Sequence, residues 1–128
     1  MSSMETAASV LKLREDIRAR FPSDAEWVDV RVEGLGYEAD ACTAWFEQFS
    51  QRTTDAMRVR DESTVRAHLS FMSGRLATAD AAVLEYIDVY YVETLMGDLD
   101  VRSKRWAWSL MPSNLRGLYV AMWGEPRF

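Results

Sequence analysis

The stretch Ala81–Met96 is apolar on most of its faces, interrupted by charge only at Glu85, Asp88 and Glu93. Wound as a helix, it places Val83, Leu84, Ile87, Tyr91, Thr94 and Leu95 on one stripe. Tyr86, Val89, Tyr90 and Val92 extend that stripe almost all round. A helix apolar on nearly every side belongs in the centre of its domain, so the rest of the chain has to be folded around it. Gly97 predicts its C-terminal stop.

The flanking segments are helical too. Val65, Leu69, Met72 and Leu76 recur at +4, +3 and +4, which marks a helix over about 63–76. Ala41, Trp45, Phe49, Thr53, Ala56 and Met57, widened by Phe46, mark a longer one within 37–59. Val10, Leu13 and Ile17 mark another over about 4–20, with Ser2 and Glu5 as a capping box and Phe21-Pro22 as its end. Ser23-Asp24-Ala25-Glu26 reads as a second capping box. Beyond it Val28, Val30 and Val32 alternate with charged residues, which is strand spacing. A lone strand has no partner here, so a short helix ending at Gly34-Leu35-Gly36 is the favoured reading. Asp98 and Asp100 precede a helix over about 101–111, and Ser113 caps a last one closed by Gly124 and Pro126.

These signals predict an all-α fold of six or seven helices in antiparallel hairpins, as a compact bundle or a short α-α superhelix. The short link Ala77–Asp80 predicts that 63–76 and 81–96 are antiparallel neighbours. At 128 residues, 48% of them hydrophobic, the chain reads as one domain over 1–128.

Three pieces of text carry a family resemblance: Asp61-Glu62-Ser63-Thr64-Val65, then Ile87-Asp88-Val89-Tyr90-Tyr91-Val92-Glu93-Thr94-Leu95, then Leu110-Met111-Pro112-Ser113-Asn114-Leu115. Over about 61–124 the chain resembles a family of small bacterial all-helical proteins of uncharacterised function. The resemblance implies a short helical-repeat-like fold and carries over no catalytic residue. Some small helical families of this sort accompany bacterial toxin genes as immunity proteins, so an immunity-like role is among the expectations. The first sixty residues do not carry the resemblance.

Composition narrows the chemistry. One cysteine, Cys42, cannot form a disulfide within the chain. With one histidine, His68, there is no His/Cys zinc set and no Glu-x-x-His pair for a carboxylate-bridged di-metal site. No catalytic residue, metal or cofactor is assigned. Cys42 and His68 could be brought together by a hairpin, but each reads better as a buried residue, His68 with a hydrogen-bond partner. Glu93 is the other candidate buried polar group, to be paired with Arg66, Arg75 or Arg116. Glu85 and Asp88 read as a solvated helix edge, and Asp98 and Asp100 as caps.

Three of the five tryptophans follow residue 105. Trp106, Trp108 and Trp123, with Arg102 and Arg105, form the candidate interface, because Trp, Tyr and Arg anchor protein contacts. Trp106 and Trp108 are about 200° apart on a helix, so one of them is expected to face solvent or a partner. A net charge of −5 disfavours nucleic acid. With no apolar run of membrane length and no signal-peptide pattern, the chain reads as a cytoplasmic module. Its expected partner is a protein or a second copy of itself. The alternative is a small-ligand binder or enzyme with an aromatic-lined pocket between the C-terminal helices. The 63–76 stripe makes one quantitative prediction: Leu69→Ala costs about 2–5 kcal/mol in urea unfolding, and a cost well under 1 kcal/mol would mean the stripe is misplaced.

Overall fold

The computed structural model describes residues 5–38 and 40–128. Seven helices follow one another: α1 (Ala8–Arg20), α2 (Pro22–Gly34), α3 (Cys42–Arg58), α4 (Glu62–Ala77), α5 (Ala81–Glu85, running on as a π-helix over Tyr86–Val92), α6 (Val101–Leu110) and α7 (Ser113–Trp123). There is no strand among the described residues, so the fold is all-α. No helix among them is long and apolar enough to cross a membrane. Ser2 of the first expected capping box lies outside the described residues.

The segment 27–33 is helical. Ala25, Val28 and Val32 share its buried face, while Val30 is 65% exposed. The helical spacing of those three outweighs the local alternation. Its N-terminus differs from the sequence reading. Phe21 is the cap residue and Pro22 opens the first turn, so Ser23 lies inside the helix with Asp24 and does not cap it with Glu26. Pro suits that position because the first-turn N–H groups have no helical acceptor to lose.

The central element is α3, not α5. It packs against α2, α4 and the π-helical part of α5, and touches α6. Ten of its residues are buried, among them Trp45, Phe46, Phe49 and Met57. Of the expected α5 stripe, Leu84 and Thr94 face outward, whereas Val83, Ile87, Tyr91 and Leu95 are buried. With α3 in the middle, α4 and α5 are not principal partners, and neither are α6 and α7: α1 packs on α5, and α7 packs on the π-helical part of α5 and on α4. The result is a compact bundle around α3. Leu69 is fully buried in it.

Polar links tie the outer helices down. Asp29 on α2 accepts hydrogen bonds from Arg18 of α1 and from the Trp45 indole of α3, both at 2.8 Å. Asp16 of α1 pairs with Arg75 of α4 at 2.5 Å. Asn114 of α7 donates to the Ser73 carbonyl at 2.9 Å and accepts from its hydroxyl at 2.7 Å. The cap of α7 is Pro112, so Ser113 is its first residue and does not cap it. Asp61, Asp80 and Asp100 cap α4, α5 and α6 through their side chains.

The π-helical turn breaks the regular backbone ladder, and α3 compensates. Ser50 Oγ donates to the Tyr91 carbonyl at 2.7 Å, and the Met96 N–H donates to Thr54 Oγ1 at 3.1 Å. Both hydroxyl residues are fully or almost fully buried. The left-handed residue that turns the chain out of α5 is Met96, at φ 67°, not Gly97. Its buried side chain offsets a conformation costing about 1–2 kcal/mol, which a glycine would adopt without strain. Thr54→Val keeps the shape and leaves the Met96 N–H without an acceptor. It should cost about 1–3 kcal/mol in chemical denaturation, with Thr54→Ser close to wild type; equal stability of the Val variant would refute the linkage.

Candidate functional site

Two places draw together the residues that could carry function. The first is closed. His68 of α4 is fully buried between the rings of Phe21 and Phe49, at centroid distances of 4.6 and 4.8 Å. Its Nε2 lies 2.8 Å from Asp24 Oδ2 of α2, and its Nδ1 lies 2.9 Å from Thr53 Oγ1 of α3. Thr53 Oγ1 is also 2.9 Å from the Tyr91 hydroxyl and 3.2 Å from the Phe49 carbonyl. The other Asp24 oxygen accepts from Arg52 Nε at 2.8 Å. Four helices therefore meet in one hydrogen-bonded chain.

A carboxylate accepts only, so His68 carries its proton on Nε2 and the neutral ring accepts from Thr53 at Nδ1. The Tyr91 hydroxyl then donates to Thr53. Burial drives the His68 imidazole below its ordinary basicity, and the hydrogen bond and charge of Asp24 only partly oppose this. Burial acts to raise the Asp24 carboxyl, but hydrogen bonds from Arg52 and His68 and their charges prevail, so it titrates below the usual aspartate value. Burial pushes the Tyr91 phenol far above its ordinary value.

The order acid–imidazole–hydroxyl is that of a hydrolytic triad. Thr53 is fully buried, however, and its oxygen is already occupied by Tyr91 and His68. No reacting atom can reach it, so the chain positions helices and does not attack a substrate. Cys42 takes no part: it opens α3, about 16 Å along the axis from Thr53 at 1.5 Å per residue. Burial raises its thiol, against the charges of Arg14 and Arg18. Among the described residues no group of three or more His, Cys, Asp or Glu side chains is placed to hold a metal.

The second place is open. A groove of about 610 Å³ lies between the end of α5, the start of α6, α7 and residues 124–128. Its wall includes Leu95, Met96, Val101, Tyr119, Trp123 and Phe128, with Glu93, Lys104, Glu125 and Arg127 as its charges. Trp123 is 58% exposed and Val101 54%. Tyr119 is fixed against Trp108 at 5.2 Å, and Phe128 packs on the same ring at 6.0 Å. Gly124 adopts φ 81°, which lets residues 125–128 turn back towards α7.

The candidate interface residues are distributed unevenly. Arg102, Arg105 and Trp123 are exposed, but neither Trp106 nor Trp108 faces fully outward. Ser103 and Ala107 form the buried line of α6, and the two indoles straddle it, each lying half-buried along the surface. An arginine covers each: Arg60 over Trp106 at 5.1 Å and Arg116 over Trp108 at 5.0 Å. Glu93 is half-buried at the groove and pairs with none of the three expected arginines. Arg66 pairs with Glu62, Arg75 with Asp16, and Arg116 donates to the Trp108 carbonyl. Sequence reasoning missed Asp24 and Thr53 as partners of His68, and Tyr91 as the partner of Thr53. A hydroxyl on the buried stripe of α3 was the one signal for them.

The fold and these two places define a class: an all-α domain with a sealed polar joint and an open aromatic groove. A family model covers residues 14–124, most of the chain and more than the 61–124 over which the sequence resemblance ran. The chain belongs to that family, described as a domain of unknown function, DUF7674. No curated protein and no solved structure matches it.

The sealed joint generates a pH prediction. An unfolded imidazole takes up a proton near pH 6.5, whereas the folded one, with its lowered pKa, resists. The unfolded state then binds more protons, so stability is fully present above that value and falls as pH drops towards the folded pKa. The slope cannot exceed about 1.4 kcal/mol per pH unit for one group. Asp24, also lowered, adds a further loss below the ordinary aspartate value of 3.8. Urea midpoints measured from pH 7.5 to 5.5 should decline in the wild type and flatten in His68→Gln; a flat wild-type profile would contradict the assignment.

Proposed function

We propose that the chain is a non-catalytic binding module that recognises a protein partner through the groove between α5, α6 and α7. The observation that carries the reading is Trp123, a large aromatic left 58% exposed on the wall of a concave surface. Burying such a ring against a partner removes apolar area from water, and tryptophans in that position dominate binding energies. The acid–imidazole–hydroxyl chain supports the non-catalytic half of the reading, because its hydroxyl is closed to any substrate. The finer form of the proposal is a cytoplasmic, immunity-like protein whose net charge of −5 suits a basic partner. Arg102 and Arg105, exposed on α6 next to the groove, would form part of the rim.

The groove volume favours a second reading, a small apolar ligand, since such sites measure about 300–1,000 Å³ and this one about 610 Å³. One experiment separates the two. A photo-crosslinking residue is placed at position 101 on the groove wall, with Trp123 kept, and a control at the exposed Val30 of α2. The expected result is a discrete protein adduct at 101 and none at 30. A self-adduct identifies a homo-oligomer. Trp123→Ala should abolish the contact while shifting unfolding by less than about 1 kcal/mol, as for an exposed side chain. Absence of any protein adduct, with a small molecule retained by the wild type and lost from Trp123→Ala, would replace the first reading by the second.

A further inference from the structure

We propose that the Asp24–His68–Thr53–Tyr91 chain is a proton-responsive joint in the closed core, with the Thr53 hydroxyl as its rotor. The argument is one of donors and acceptors. Thr53 has one proton and three polar neighbours besides: His68 Nδ1 at 2.9 Å, the Tyr91 hydroxyl at 2.9 Å and the Phe49 carbonyl at 3.2 Å. With His68 neutral, Thr53 accepts from Tyr91 and donates to Nδ1. When Nδ1 gains a proton it becomes a donor, and Thr53 must accept from it as well as from Tyr91. The hydroxyl proton then turns to the Phe49 carbonyl, which is already in reach. Each polar atom keeps a partner in both states, and no heavy atom has to move.

The charged neighbours fit this two-state scheme. Asp24 of α2 presents one oxygen to Nε2 and the other to Arg52 of α3, so an imidazolium does not compete with Arg52 for the same oxygen. Asp61 at the head of α4 favours the charged ring and Arg52 opposes it. Arg20 of α1 lines a small cavity of about 210 Å³ that also borders Asp24 and His68. From α5 the facing group is the Tyr91 hydroxyl, wholly buried and held by Thr53. A histidine merely trapped in a core would have one satisfied state and would release its element on protonation. Here the second state is prepared in advance, so acid changes the charge of the joint between α2, α3, α4 and α5 before it opens the fold.

The test is a titration of the His68 ring nitrogens by nitrogen-15 NMR on the whole chain. At pH 7.5 the shifts should show the Nε2–H tautomer. On acidification they should move to the imidazolium values while the amide spectrum stays dispersed. Thr53→Val removes the acceptor for the new Nδ1 proton and should weaken proton binding at His68 on the order of tenfold, one unit in midpoint. Thr53→Ser should restore the wild-type midpoint. If Thr53→Val fails to fold, the tautomer and the Ser variant still decide. An Nδ1–H tautomer at pH 7.5, loss of amide dispersion at the same midpoint as the ring, or an unchanged midpoint in a folded Val variant would each overturn the proposal.

Discussion

The hydroxyls of α3 hold this bundle together. Ser50, Thr53 and Thr54 sit on the most buried helix, where a polar group without a partner costs more than a hydrogen bond returns. Each is matched to a group that the fold itself leaves unpaired. Ser50 and Thr54 take up the carbonyl of Tyr91 at the C-terminal end of the π-helical stretch and the amide of Met96 just beyond it. Thr53 takes the phenol and the imidazole. Because π-helical geometry is unfavourable in isolation, α5 and α3 depend on each other: the irregular turn needs the hydroxyls, and the hydroxyls are satisfied by the irregular turn.

That dependence explains which parts of the fold are legible in the sequence. Val65, Leu69 and Met72, or Val10, Leu13 and Ile17, report their burial through spacing alone, since a helix repeats every 3.6 residues whatever it packs against. The centre of the bundle is not encoded that way. Ala81–Met96 is richer in apolar residues than Cys42–Arg58, yet α3 occupies the middle. Ser50, Thr53 and Thr54 lower its apparent hydrophobicity, and they are buried for reasons that lie on α4 and α5. Asp24 shows the same limitation. Its local context, Ser-Asp-Ala-Glu, reads as a cap, while its actual partners are Arg52 and His68, 28 and 44 residues away. Local pattern sees spacing and caps; it does not see pairings that only tertiary folding creates.

The aromatic C-terminal third divides along similar lines. The uneven placement of the tryptophans points to α6 and α7, but the expectation that Trp106 or Trp108 faces outward treats a side chain as either in or out. A helix lying on a bundle has flanks as well as faces. Ser103 and Ala107 are the small buried residues of α6, and the indoles on either side of them are half-buried. Arg60 and Arg116 then cover them with their guanidinium groups, and Arg116 also donates to the Trp108 carbonyl. Trp123, beyond the last buried residue of α7, has no such cover.

The closed joint and the open groove answer different physical demands. An acid, an imidazole and a hydroxyl in sequence constitute catalytic machinery only where the hydroxyl meets a substrate and the imidazole can pass its proton on. Thr53 does neither, and the groups that would compete with a substrate for it, Tyr91 and Phe49, are supplied by the chain itself. The same three side chains that accelerate a reaction in a cleft here resist one, because every lone pair and proton already has an internal destination. The groove has the opposite character. Glu93, Lys104, Glu125 and Arg127 surround Tyr119 and Trp123 without an ion pair or side-chain hydrogen bond among the described residues. Polar groups satisfied within the fold specify its shape, and those left to solvent are the ones available to something else.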